Sequence, residues 1–171
     1  TQKITKAMKM VAAAKLRKAQ EAAEQARPYA KKMSLVIKKL TSATNASSNS
    51  PLLIGNASHK THLIIISTSE RGLCGAFNSS IVRLAKSHIR ELLSNGSQIK
   101  ILTIGKKGRE QLKREFGEHM IDHVDLSEVK KISYENASAI SINVISKFLK
   151  DEFDVATIFY NQFESIISQI P

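Results

Sequence analysis

One cysteine, no tryptophan, three prolines and only 5% aromatic residues leave this 171-residue chain few of the usual devices for fixing a small fold. Each shortage excludes something. Cys74 alone cannot form an internal disulfide framework or a cysteine-based structural zinc site, and its use suits a reducing compartment. No run of about 18 apolar residues exists, so no segment reads as a membrane-spanning helix. Residues 1–20 are cationic and lack an unbroken apolar stretch, so no secretory signal is read there. Acidic residues are scarce at one end. Residues 1–40 hold eleven Lys/Arg against two Glu, a surplus of nine within the chain's +11; residues 41–171 are nearly balanced. That asymmetry implies an anionic partner for the first segment: nucleic acid, lipid or an acidic protein surface.

What the chain does have is 42% apolar residues, mostly aliphatic, enough for a packed core. The chain opens on Thr and closes on Pro171 just after a strand-like run, and it reads as a fragment cut at both ends.

Residues 1–42 are expected to form one long helix, being rich in Ala, Lys, Gln, Glu, Met and Leu. Ile4, Met8 and Val11 follow helical spacing, Met33, Ile37 and Leu40 resume it, and alanines fill the stripe between. Such a helix would be roughly 60 Å long and would need a partner helix, which this chain does not supply. Pro28 costs an uninterrupted helix about 3 kcal/mol, so a kink or a restart is expected there. Residues 43–60 are small and polar and read as a linker.

Residues 61–171 alternate strands and helices, as in a mainly parallel, Rossmann-like sheet with helices on its faces. Strands are expected over 63–68, 99–104, 120–124 and 154–160, with a fifth beginning near 166–170. Helices are expected over 79–94, 107–116 and 135–149, the last with Ala139, Ile142, Ile145 and Leu149 on one face.

Candidate sites are few. Arg71, Gly72, Leu73, Cys74 and Gly75 lie in SERGLCGAFNSS, a glycine loop between a buried strand and a helix, where phosphate often binds. Yet Gly72-x-x-Gly75 matches neither the dinucleotide fingerprint nor the Walker A pattern. The plainer reading is a tight turn whose helix is capped by Asn78 or Ser79. Cys74 as a nucleophile lacks a partner base, because no His lies in the loop, and a buried or half-buried structural thiol is expected. The second junction, Gly105-Lys106-Lys107-Gly108, also offers positive charge to an anion, although solvated lysines explain it as well. His119 and His123 in one strand would lie roughly 13 Å apart, too far to share a metal ion. With no catalytic constellation in view, the pattern points to a binding or mechanical role, without cofactor.

Two blocks carry a family resemblance. TQKITKAMKMVAAAKLRKAQ resembles the N-terminal helix of the γ subunits of F-type ATP synthases, and SERGLCGAFNSS resembles their signature, usually TSDRGLCGGFN. ARPYA, the IGKKG turn and FYNQFESIISQIP fall in matching order, so the likeness spans the chain; Glu70 stands where Asp is common and Ala76 where Gly is common. The resemblance implies a non-catalytic central-stalk rotor coupling proton flow to ATP synthesis at the β subunits, more bacterial than mitochondrial in pattern. It implies contacts with the α and β subunits, ε and the c-subunit ring. It also implies a peripheral place on the cytoplasmic side of a bacterial inner membrane, or the matrix side of the mitochondrial one. Its missing second strand would be a long C-terminal helix. On that basis the basic face around Lys9, Lys15, Arg17 and Lys18 is expected to meet acidic segments of β, with Met8 nearby. Two other readings remain: a nucleic-acid-binding protein with a basic helical arm, and a small α/β enzyme using Cys74. Against the first, residues 1–40 hold one aromatic, Tyr29, and no base-reading motif.

Overall fold

A computed structural model describes residues 2–43, 50–56, 58–165 and 168–171. It divides into two compact units, Thr1–Ile54 and Gly55–Pro171.

The first unit is dominated by α1 (Gln2–Ala43), a single helix of 42 residues with Pro28 inside it. Of the kink or restart expected at Pro28, the restart does not occur, because the helix is continuous through it. Proline removes one backbone donor, and the helix-favouring residues on both sides outweigh that local loss. The helix also runs past the composition break at Thr41. Of the expected linker, residues 44–49 and 57 lie outside the described residues, and Pro51–Ile54 forms a single helical turn, α2.

In the second unit, β1 (Thr61–Ser67), β2 (Gln98–Ile104), β3 (Met120–Val124) and β4 (Val155–Phe159) form one sheet in the order β3-β2-β1-β4. All three pairings are parallel. Leu63, Ile64, Ile65 and Ile66 are buried, which is why this β-branched run lacks polar alternation. The helices α3 (Phe77–Ser94) and α4 (Lys106–Phe116) cover one face, packing Ile81, Ala85, Ile89, Leu112 and Phe116 against Ile64, Ile66 and Ile101. The helix α5 (Tyr134–Leu149) covers the other, with Val144 and Phe148 against Leu63, Ile65 and Leu102. The apolar face of α5 marked by Ala139, Ile142, Ile145 and Leu149 is turned outward: Ile142 is 64% and Leu149 59% exposed. Periodicity identified an apolar stripe, but the neighbouring stripe, anchored by Phe148, meets the sheet. The α3 terminus follows its expected stop at Asn95–Gly96. Gly96 takes φ +80°, its N–H donates to Leu93 O at 3.0 Å, and Ser97 N donates to Leu92 O at 3.0 Å.

Among the described residues no fifth strand joins this sheet. Gln162–Phe163 (β5) and Gln169–Ile170 (β6) instead pair antiparallel as a separate ribbon, and residues 166–167 of the expected strand lie outside the described residues. Strand β4 is therefore an edge.

Helices α3 and α4 are also joined by charge. Lys86 Nζ donates to Glu115 Oε2 at 2.7 Å, and Arg90 Nη2 and Nε donate to Oε1 at 2.6 and 2.9 Å. These bonds, Lys86 first, hold the Glu115 carboxyl below the ordinary glutamate value of 4.5. A carboxylate depressed in the fold stabilises it above the unfolded value, and that contribution is lost as pH falls through the folded value. Glu115→Gln is therefore expected to lower the melting temperature at about pH 7. Thermal melts should show its deficit closing as pH falls below 4.5; a deficit unchanged down to about pH 3 would disprove the coupling.

Candidate functional site

The loop between β1 and α3 emerges at the carboxyl edge of the sheet, beside the switch in strand order between β1 and β4, where open α/β sheets commonly bind ligands. Its root is tied down on all sides. Ser69 N donates to Asn78 Oδ1 at 2.9 Å, and Asn78 Nδ2 donates to Ser69 Oγ at 2.9 Å and Cys74 Sγ at 3.1 Å. Asn161, just past β4, donates through Nδ2 to Phe77 O at 2.9 Å.

Asn78 does not cap α3 as expected. The helix begins at Phe77, Ala76 occupies the cap position without a side-chain cap bond, and Asn78, nearly buried, reaches backward into the loop. The turn, with positive φ at Leu73 (+59°) and Gly75 (+59°), closes the helix earlier than the sequence pattern implies. Cys74 is likewise corrected: its thiol is exposed, because Asn78 fills the interior position beneath the loop.

The amides that would cradle an anion are already satisfied by the chain itself. At the start of α4, Lys106 N donates to Glu70 Oε2 at 2.9 Å, Lys107 N to Ser69 O at 3.2 Å, and Gly108 N to Thr68 Oγ1 at 2.8 Å. A glutamate thus occupies the place a phosphate would take at a helix N-terminus. In the sequence Glu70 is marked only as a departure from the family pattern; its reach across two other loops has no local signal. His119 stands in a 3₁₀ turn and His123 in β3, so the two do not share a strand, and His123 Nδ1 lies 2.9 Å from Thr103 Oγ1. No cluster of three or more metal-ligating side chains occurs among the described residues.

On α1, Met8, Lys9, Lys15, Arg17 and Lys18 are all exposed, Met8 by 68%. A single α-helix fixes their bearings. At about 100° per residue, Lys15 lies near the Met8 stripe, Lys9 and Lys18 fall on opposite flanks, and Arg17 points about 180° from Met8. They encircle the helix; they do not form one face. Arg17 Nε donates to Glu21 Oε1 at 2.8 Å, a pairing along the same helix.

These residues define a Rossmann-like α/β domain with an internally satisfied carboxyl edge, preceded in sequence by a long, bare, basic helix. Comparison with known proteins places that combination. The family profile described as ATP synthase matches residues 1–171. The ATP synthase gamma chains of Jannaschia sp. and Paracoccus denitrificans are each 60% identical over all of this chain, which spans 58% and 59% of their respective lengths. A chain in the central stalk and c-ring structure of the Tetrahymena thermophila mitochondrial ATP synthase superposes with a TM-score of 0.73 at 30% identity. That match covers 98% of this chain and 69% of that one. The chain belongs to the ATP synthase gamma-chain family.

Proposed function

We propose that this chain is part of the central-stalk rotor of a proton-translocating F-type ATP synthase, a non-catalytic subunit coupling proton flow to ATP synthesis and hydrolysis at the β subunits. The observation that carries this is α1: a 42-residue helix whose apolar positions, including Ile4, Met8 and Val11, are more than half exposed. A helix this long with bare apolar residues requires other helices around it. Family membership supplies the setting.

The charged residues fit that setting in a specific way. Lys9, Lys15, Arg17 and Lys18 point in several directions, which suits a shaft enclosed on all sides by a ring of α and β subunits and suits a flat duplex surface less well. The α/β domain would then meet ε and the c-subunit ring. The alphaproteobacterial relatives favour a peripheral position on the cytoplasmic side of a bacterial inner membrane. No helix among the described residues is long and apolar enough to cross a membrane.

Exposed ion pairs are each worth about 0–1 kcal/mol, so one substitution would be lost in the noise. Reversing all four charges to Glu in the full-length subunit, assembled in its complex, is expected to cut proton pumping per ATP hydrolysed by about twofold or more. Coupling unchanged in that variant would remove the role from these residues.

A further inference from the structure

Charge is divided across the sheet of the second unit. Residues 77–116, which supply α3, β2 and α4, hold nine Lys/Arg against three acidic residues, a surplus of six. Residues 117–171, which supply β3, α5 and β4, hold four against nine, a deficit of five. Because α3 and α4 cover one face and α5 the other, positive charge gathers on the α3–α4 side. Such a face draws anions to it.

On that side a groove of about 430 Å³ runs between α3 and α4, lined by Ser79, Val82, Arg83, Lys86, Arg90 and Gln111. Among the described residues three cations line it and no carboxylate does. Arg83, Lys86 and Arg90 are spaced three and four residues apart, so they stack along one ridge of α3 over about 10 Å. Both helices link parallel strands and therefore run in the same direction. Glu115 on α4 meets the later pair, Lys86 and Arg90. One turn earlier, level with Arg83, α4 carries the neutral Gln111. The exposed Arg83 guanidinium has no hydrogen-bond or ion-pair partner among the described residues. Lys86 and Arg90 keep N–H donors beyond those that Glu115 accepts.

We infer that this groove is a binding site for a phosphate-bearing anion, held by Arg83 at one end and by the remaining donors of Lys86 and Arg90 at the other. Glu115 competes for the second pair. The anion is a free diphosphate or triphosphate, or the headgroup of an anionic phospholipid, since both offer phosphate oxygens to a planar guanidinium. The site stands independently of the rotor reading.

Two probes of the full-length subunit at low salt test it: inorganic pyrophosphate by titration calorimetry, and phosphatidylcholine vesicles containing phosphatidic acid by co-sedimentation. Binding of pyrophosphate alone assigns the free anion, and binding of vesicles alone assigns the headgroup. Binding of neither overturns the site. Arg83→Gln should weaken the interaction about tenfold. Arg109→Gln removes the same charge from α4 outside the groove and should change binding by less than about twofold. Glu115→Gln releases Lys86 and Arg90 and should tighten binding about threefold or more, whereas Glu118→Gln, an equal change of charge beyond the groove, should not. Equal losses in Arg83→Gln and Arg109→Gln would show a diffuse field in place of a site and overturn the inference. So would Glu115→Gln binding no tighter than Glu118→Gln. If Glu115→Gln does not fold, the comparison of Arg83→Gln with Arg109→Gln decides alone, because Arg83 has no partner in the fold to lose.

Discussion

Replacing Gly105 by alanine is expected to cost this protein about 3–5 kcal/mol and about 10 °C or more of melting temperature. Two effects add. Gly105 sits at φ +88°, where an L side chain costs roughly 1–2 kcal/mol. A Cβ there would also lie 2.2 Å from Thr68 O and 2.7 Å from Thr68 C, which are backbone atoms that cannot swing away. Thr68 is itself held, its N–H donating to Ile104 O at 2.8 Å, so relief would require β1 to move against β2. Gly117→Ala is the control. Gly117 has φ −58°, and its Cβ would meet only Lys113 Cγ at 3.9 Å, so the change should stay within about 0.5 kcal/mol. A Gly105→Ala melt within about 3 °C of the parent would show that the two strand ends are free to separate.

The second large effect is expected at Asn78. Leucine is close to it in size but offers no acceptor to Ser69 N and no donor to Ser69 Oγ or Cys74 Sγ. Asn78 is only 5% exposed, and its loss would leave the part-buried Ser69 amide without its acceptor. A part-buried polar group stranded in this way costs about 1 kcal/mol, the low end of the range for a buried one. Chemical denaturation should therefore show a lower midpoint for Asn78→Leu with an unchanged slope. Ser79→Ala, one residue on, removes an exposed hydroxyl whose bond runs to Ala76 O, and should change stability by less than about 0.5 kcal/mol. Equal stabilities for the two variants would rule out Asn78 as the anchor of the loop.

Both predictions concern residues whose importance has no local sequence signal. Gly105 reads as one glycine in a lysine-rich turn. Asn78 reads as a helix cap, and the geometry that makes it an anchor instead depends on Leu73 and Gly75 taking positive φ. The exposure of Cys74 and of the apolar α5 face likewise has no local signal. The residue types carried no record of which neighbour, Asn78 or Phe148, would take the interior place.

Local chemistry did determine the element types. A continuous apolar run such as Leu63–Ile66, β-branched from Ile64 on, offers polar groups to water on neither face and so became a central strand. The helix-favouring content of residues 2–43 was enough to carry a helix through Pro28. The γ-like blocks at both ends of that reading, the basic helix and the signature loop, lie in contiguous stretches and were legible for that reason. Only the tertiary structure decided how distant loops meet at the carboxyl edge of the sheet. There Glu70 joins amides 36 and 56 residues away, and Thr68 meets Gly105 and Gly108 across two strand ends. Such contacts form between groups brought together by parallel pairing, a long-range event that no window of neighbouring residues encodes.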